Sequence, residues 1–369
     1  MMSKNRILVL TNNIGGLHSF RKEVMKAIVD AGYNVVISVP EITPKAEYFK
    51  EIGCDVIITE FNRRGMNPVA DLKQMLAYRK LIKKLQPKAV LTYTIKPNVY
   101  GGMACRLTRT SQIANVTGLG DAVENGGWMQ WLTMTLYKMG LEKAKQVFFQ
   151  NETNRTFCIK KGIAKPTSGL IPGSGVNLQH HTYQDYPADD GTIRFLFIGR
   201  MLKDKGIDEL FETARIIKSK YPNTEFQFVG SVDGDYQSQV DELTETGVIR
   251  FLGGQADVRP FIGAVHCTIM PSYHEGMSNV NLESAANGRP VITTDVPGCC
   301  ETVEDGKTGF LCNAKSAESL TAAVKRFITL PYSQKKKMGV NGRKKVEAEF
   351  DRQIVIDAYL KEIESIAHV

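Results

Sequence analysis

NLQHHTYQDYPADDGTIRFLFIGR, residues 177–200, changes character partway along. Residues 177–192 are polar and rich in turn formers, the composition of a linker. Residues 192–200 are an apolar run of β-branched and aromatic side chains ending in Gly-Arg, which reads as a buried strand. Before the pause, strand-like runs RILVLTN (6–12), NVVISVP (34–40), DVIITEF (55–61), AVLTYT (89–94), QIANVTG (112–118) and QVFFQN (146–151) are separated by helical patterns. One of these is PVADLKQMLAYRKLIKKLQ (68–86), where Val69, Leu72, Met75 and Leu76 share a stripe with lysines opposite. After the pause the rhythm restarts: a strand over 192–200, a helix over 206–220, EFQFVGS (225–231), a helix near 236–245, VIRFLGG (248–254), HCTIMPS (266–272), a short helix over 279–287 and PVITTD (290–295). Repeated strand, helix, strand predicts parallel sheets covered on both faces. The chain is therefore expected to be α/β: two doubly wound, Rossmann-like domains facing across a cleft. Their expected limits are 1–180 and 181–369, with the last helix able to pack back on the first domain. A length of 369 residues, too long for one ordinary core, agrees.

The chain is 43% hydrophobic and 23% charged, as soluble globular proteins are. Its apolar runs stop short of a membrane span, and MMSKNRILVLTNN lacks a cleavable signal pattern, so the expected location is cytoplasmic. Cys54, Cys105, Cys158, Cys267, Cys299, Cys300 and Cys312 show no C-x-x-C spacing and read as reduced core thiols. Residues 1–185 carry 25 Lys and Arg against 13 Asp and Glu, and residues 186–369 carry 22 against 26. A half at +12 beside a half at −4 suggests that the first meets an anionic substrate or lipid surface, the alternative being a solvated basic face. No nucleic-acid-binding module or aromatic-laced basic stretch is present.

Ligands of doubly wound sheets bind beyond the carboxyl ends of strands, so the chemistry is sought there. After the first strand comes TNNIGGLHSFRKEV (11–24). Gly15 and Gly16 are read as a tight turn open to a ligand, before a helix starting near His18. The dinucleotide fingerprint G-x-G-x-x-G is absent. In GRMLKDKGID (199–208), Arg200 and Lys205 follow a strand end and can place two cations where a diphosphate would sit, or pair locally with Asp204 or Asp208. In HEGMSNVNLE (274–283), Ser278 or Asn279 caps a helix closed by Gly288. Glu275 precedes that helix and Glu283 lies one turn inside it, among Val280, Leu282, Ala285 and Ala286. A carboxylate there is costly unless partnered; ribose hydroxyls or a local cap would both serve.

The E-x7-E spacing of HEGMSNVNLE, with GRMLKDKG (199–206) upstream and PGCCETVEDGKTGF (297–310) downstream, resembles the retaining glycosyltransferases of family 4, which have the GT-B fold. The resemblance spans nearly the whole chain. It is greatest to bacterial enzymes that extend undecaprenyl-diphosphate-linked sugars for capsule, O-antigen or glycoprotein glycans. It implies catalytic roles for Arg200 and Lys205 on the donor diphosphate and for Glu275 on the donor sugar, with the amides of Gly276, Met277, Ser278 and Asn279 beside it. Glu283 would hold the ribose, the backbone from Phe251 to Gly253 would meet the base, and Gly15 and Gly16 would approach the diphosphate. The implied reaction is transfer with retention from a UDP-sugar, the donor phosphate accepting the acceptor's proton, with no metal and no further cofactor. The implied acceptor is an undecaprenyl-diphosphate-linked saccharide met peripherally at the cytoplasmic face of the inner membrane. Acceptor-side candidates are His18, Arg21, Lys96, Asn98, Thr117 and Asp121; the helix bearing Trp128 and Trp131 together with RKLIKK (79–84) can touch lipid, the alternative and commoner fate of such a helix being packing in the core of the first domain. Three features depart from the family pattern. NVTGLGDAV (115–123) lacks the usual His, which leaves Thr117, Gly118 or Asp121 in its place. Asn281 stands where relatives carry an aliphatic or small residue, and DGD (233–235) mimics a metal-binding D-x-D but reads as a turn. A UDP-sugar epimerase of the same fold and a non-catalytic nucleotide-sugar binder are the rival readings; the complete Arg200, Lys205, Glu275 and Glu283 set argues against the second.

Overall fold

The structure is a computed structural model that describes residues 5–59, 67–119 and 127–366. The chain forms two compact units, the first reaching Ser174 and resuming at Gln353, the second running from Gly175 to Arg352.

The first unit contains β1 (Arg6–Leu10), α1 (Ile14–Asp30), β2 (Asn34–Val39), α2 (Ala46–Glu51), β3 (Asp55–Ile58), α3 (Pro68–Leu85), β4 (Ala89–Tyr93), α4 (Gly102–Thr108), β5 (Ser111–Val116), α5 (Gly127–Leu141), β6 (Gln146–Phe149), α6 (Glu152–Lys160) and β7 (Gly169–Leu170). The second contains β8 (Ile193–Ile198), α7 (Ile207–Lys220), β9 (Thr224–Val229), α8 (Gln237–Glu245), β10 (Arg250–Phe251), α9 (Arg259–Ala264), β11 (Cys267–Met270), α10 (Asn279–Ala286), β12 (Val291–Thr294), β13 (Gly309–Cys312), α11 (Ala317–Thr329) and α12 (Tyr332–Glu349). A last helix, α13 (Arg352–Glu364), carries the chain back into the first unit.

Both sheets are parallel and wound alike. The first has the order β3-β2-β1-β4-β5-β6-β7 and the second β10-β9-β8-β11-β12-β13, so the winding direction reverses between β1 and β4 and between β8 and β11. The period of two along each strand divides the core into faces. In β1, Ile7 and Val9 pack with α1, α2 and α13, while Leu8 and Leu10 pack with Tyr78 and Ile82 of α3 and with Ala104 of α4. Register carries this across the sheet, because Val90 of β4 pairs with Gln112 and Thr92 with Ala114 of β5. Helices α3, α4 and α5 therefore share one layer, with α4 packed against both of the others. Val355, Tyr359 and Ile363 of α13 are fully buried on the opposite face, and Asn115 Nδ2 donates to the Tyr359 hydroxyl at 2.7 Å.

Two expectations are corrected. On α3, Val69, Leu72 and Leu76 are exposed and share their side of the helix with lysines, while the buried side carries Asp71, Gln74, Tyr78 and Ile82. The polar groups are accepted inside because each is paired: Asp71 takes Lys96 Nζ and the Tyr100 hydroxyl, both at 2.9 Å, and Gln74 Nε2 donates to the Tyr78 hydroxyl at 2.9 Å. The polar stretch after residue 177 belongs to the second unit rather than to a free linker. The fully buried Arg289 guanidinium donates to the carbonyls of Gln184 at 3.0 Å and Asp185 at 2.7 Å, and the Tyr186 hydroxyl donates to the His266 carbonyl at 2.8 Å.

Candidate functional site

In the second unit the loops leaving β8 and β11 diverge from the switch point, the place where a doubly wound sheet leaves a crevice at its carboxyl edge. The two loops meet backbone to backbone. Tyr273 N–H donates to the Asp204 carbonyl at 2.9 Å. Gly206 has φ +69°, and a Cβ there would lie 2.1 Å from the Pro271 oxygen, so no larger residue fits. Lys205 and Glu275, 70 positions apart in sequence, are thereby joined as an ion pair through Nζ and Oε1, both partly shielded from water. The Ser272 hydroxyl donates to the same Oε1 at 2.9 Å, while Oε2 takes no hydrogen bond among the described residues. One carboxylate oxygen is anchored and the other is open to a ligand hydroxyl.

The motif downstream of β12 braces this loop from behind. Ser278 N–H donates to the Gly298 carbonyl at 2.7 Å, and Glu301 Oε2 accepts from Gly298 N–H at 2.7 Å. Gly298 has φ +83°, and a Cβ there would stand 2.3 Å from the Glu275 backbone carbonyl oxygen. Cys299 is fully buried behind the pair; burial, and then the charge of Glu275, push its thiol up to about 12. Among the described residues no group of three His, Cys, Asp or Glu is placed to hold a metal.

Helix α10 starts at the same edge. Ser278 is its N-cap, with Oγ accepting from Asn281 N–H at 3.4 Å, so the free amides of the first turn face the crevice. Met277 packs into an apolar cluster with Leu282, Ala285 and Val346, which leaves its backbone as the part available to a ligand. Asn281 is fully buried and donates to the hydroxyls of Thr293 at 3.1 Å and Thr302 at 3.0 Å, tying α10 to β12 and to the turn after Gly298. Glu283 is recessed but keeps about a quarter of its side chain open, at 25% exposure. Its carboxylate has no hydrogen-bond partner among the described residues. Burial pushes its pKa up to about 7, with the Arg352 guanidinium opposing. His181 Nε2 stands 4.0 Å away but is held neutral, lowered to about 4 mainly by its own burial, so it supplies no charge.

Arg200 is exposed just past β8 and has no ion-pair partner among the described residues. Gly253, just past β10, lies on the same edge, its carbonyl accepting from Gly230 N–H at 2.9 Å, with Phe251 in the strand before it. The local pairing considered for the cations does not occur: Lys205 pairs with Glu275, and Asp208 accepts from the Tyr236 hydroxyl at 3.2 Å. Asp233 and Gly234 form a turn, with Tyr236 N–H donating to the Asp233 carbonyl at 2.9 Å.

In the first unit the glycine loop differs from its reading. Helix α1 begins at Ile14, and Gly15 and Gly16 are helical residues of its first turn, where an added Cβ would meet the Asn13 side chain at 3.2 and 3.4 Å respectively. They leave bare backbone at a helix N-terminus and make no turn. His18, a turn later, packs edge-on against Tyr48 with ring centroids 5.1 Å apart; burial, then Lys22 and Lys45, lower its pKa. Three acceptor-side candidates are structural. Arg21 is buried and donates to the Gly173 carbonyl at 3.0 Å. Asn98 is fully buried, accepting from Thr92 Oγ1 at 2.7 Å and donating to the Asn115 carbonyl at 2.8 Å. Lys96 is committed to Asp71 at 2.9 Å. Thr117 is exposed beyond β5, and Asp121 lies outside the described residues. Ser272, Gly206 and Gly298 were not singled out from sequence. Their signal is only that the first two lie beside Glu275 or Lys205 at strand ends, and that Gly298 opens the downstream motif.

Residues 181–345 match the model described as glycosyl transferases group 1, and residues 6–151 match glycosyl transferase 4-like. The N,N'-diacetylbacillosaminyl-diphospho-undecaprenol alpha-1,3-N-acetylgalactosaminyltransferase of Campylobacter jejuni is 26% identical, over 96% of this chain and 97% of its own. The capsular polysaccharide biosynthesis glycosyltransferase CapM of Staphylococcus aureus is 27% identical, over 79% of this chain and 80% of its own. Among solved structures, Anabaena Alr3699/HepE in complex with UDP and glucose superposes with a TM-score of 0.78 at 18% identity, over 97% of this chain and 99% of that one. With both sheets, the strand-end motifs and two family models that together span most of its length, the chain belongs to the group 1, family 4-like glycosyltransferases and has their GT-B fold.

Proposed function

We propose that this glycosyltransferase moves a hexose or N-acetylhexosamine, with retention, from a UDP-sugar to a lipid-diphosphate-linked saccharide in bacterial surface-glycan assembly. The observation that carries the donor half is the Lys205–Glu275 pair at the β8/β11 switch point, beside the N-terminus of α10. Lys205 spends one N–H on Glu275 and keeps two for phosphate oxygens; Arg200 adds a second cation. As the bond from the sugar to the diphosphate breaks, negative charge grows on the leaving phosphate, and cations already in place lower that barrier by a few kcal/mol each. The open Oε2 of Glu275 accepts a donor sugar hydroxyl, and amides from Gly276 to Asn279 complete the phosphate side. Glu283 accepts from the ribose hydroxyls, which relieves a carboxylate that otherwise has no partner. The base lies along the backbone from Phe251 to Gly253, and the donor phosphate takes the acceptor's proton. No metal or additional cofactor enters this scheme.

The acceptor half has support from the name of the Campylobacter relative, whose acceptor is an undecaprenyl-diphosphate sugar, and from the basic first half of the chain. On this reading the protein meets its acceptor at the cytoplasmic face of the inner membrane, and His18 and Thr117 remain as acceptor-side residues. No helix among the described residues is long and apolar enough to cross a membrane. Mass spectrometry of synthetic undecaprenyl-diphosphate saccharides incubated with a panel of UDP-sugars tests the proposal. A mass gain of one sugar on the lipid supports it. Interconversion of a UDP-sugar without acceptor assigns an epimerase, and UDP binding without any turnover assigns a binder.

A further inference from the structure

The first unit exposes large apolar side chains along one edge. Trp128 and Trp131 are 70% and 68% exposed, an unusual state for a side chain that normally buries most of its surface. They are three residues apart near the start of α5, hence on one face of it. Val69 and Leu72, 64% and 53% exposed, sit with the exposed Leu76 on the outer side of α3 at the same helical spacing. Ile95, also exposed, opens the helical turn that follows β4. Helices of a parallel sheet start at the carboxyl edge of the strands, and α3 and α5 flank α4 in one layer. The N-terminal turns of α3 and α5 and the turn after β4 therefore come to the same edge, the one at which doubly wound sheets meet ligands.

Charge says what covers this face. Lys73, Lys80 and Lys83 are exposed; at 100° per residue Lys83 points within the sector that holds Val69, Leu72 and Leu76, and Lys80 and Lys73 flank it within about 40°. Helix α3 carries five Lys and Arg against one acid, Asp71, which is buried; α5 carries one lysine and no acid. Tryptophans with short aliphatic stripes and interspersed lysines fit the boundary of an anionic bilayer, where rings settle at headgroup depth and ammonium groups meet phosphate. A second copy of the chain would bring the same cations against each other.

We infer that the outer face of α3 from Val69 to Lys83, with the first half of α5 and the turn after β4, docks on an anionic lipid bilayer and brings the carboxyl edge of the first sheet beside the membrane. This deepens the proposed function, since it gives a lipid-linked acceptor a route to strand ends, but its geometry stands without that reading. The full chain is sedimented with vesicles of phosphatidylglycerol and phosphatidylcholine in equal parts, and with pure phosphatidylcholine. Three proteins are compared: the natural chain, Trp128→Ser with Trp131→Ser, and Lys73→Ala with Lys80→Ala and Lys83→Ala. Unchanged melting temperature and UDP binding verify that each variant is folded. The natural chain is expected to pellet with the anionic vesicles and to be released by salt. Each lysine removed weakens partition about fivefold, and the triple variant on the order of 100-fold. The tryptophan variant is also released. A natural chain that stays in the supernatant, or variants that pellet as it does, overturns the inference. So does a concentration-dependent dimer in light scattering that disappears in the tryptophan variant without any vesicle binding. Transfer to a short-chain, water-soluble acceptor is measured in parallel; its failure would count against the enzymatic reading while leaving the vesicle result standing.

Discussion

Glu283 offers a test in which stability and function move in opposite directions. Burial raises its carboxyl to about 7 from 4.5, so the folded chain keeps a proton that the unfolded chain sheds. Stability therefore falls as pH rises from about 4.5 to 7 and stays reduced above that. The difference corresponds to about 3 kcal/mol, an upper figure because water still reaches part of the side chain. Glu283→Gln keeps the shape and removes the charge. Near pH 8 it should raise the melting temperature of the second unit by several degrees, at about 2–4 °C per kcal/mol for a unit of this size. Near pH 4, where both forms are neutral, the gain should vanish. Calorimetry reads this, with the second unit identified as the transition that UDP raises. The same substitution should weaken UDP binding about 10- to 100-fold near pH 8, because two hydroxyls lose a charged acceptor. For the natural chain, UDP affinity should rise between pH 6 and 8 as Glu283 ionises. A gain in melting temperature that ignores pH, or unchanged UDP affinity, would refute the assignment.

Glu275→Ala and Lys205→Ala should each nearly abolish sugar transfer while circular dichroism stays native; near-normal rates in both would remove the pair from the mechanism. Gly206→Ala forces a Cβ against the Pro271 carbonyl at a positive φ, and should cost about 1–3 kcal/mol and most of the activity, read by melting and turnover together. Native behaviour on both counts would mean that the two loops are not rigidly joined. Asn98→Ala should cost about 2–3 kcal/mol through two lost buried hydrogen bonds and leave the KM for acceptor unchanged in the surviving folded protein. A raised KM at unchanged stability would return Asn98 to the acceptor site.

Alternation of apolar runs and helical patterns made the two parallel sheets legible, because strand period and turn chemistry are local properties. A cap at Ser278 or Asn279, of which the structure uses Ser278, and the positions of Arg200, Lys205 and Glu275 at strand ends were legible for the same reason. Faces were less so. The buried side of α3 was misassigned because hydrophobicity is a proxy for burial that fails where polar groups pair inside: Asp71 with Lys96 and Tyr100 displaced Val69, Leu72 and Leu76 to the surface. Arg21, Lys96 and Asn98 looked like ligand-facing groups for the mirror-image reason. Their partners are Gly173, Asp71, Thr92 and the Asn115 backbone, and only Asp71's charge hints at a pairing in the sequence.

The sequence by itself determined the α/β class, the pause near residue 177, and which residues stand at strand ends. Only the tertiary structure decided which of them meet. Lys205 and Glu275 come together because β8 and β11 are neighbours across a switch point, a non-local choice of strand order. The meeting then holds because Gly206 lets two backbones touch and Gly298 supports the Glu275 peptide from behind, contacts whose cost or benefit exists only once the sheet has formed.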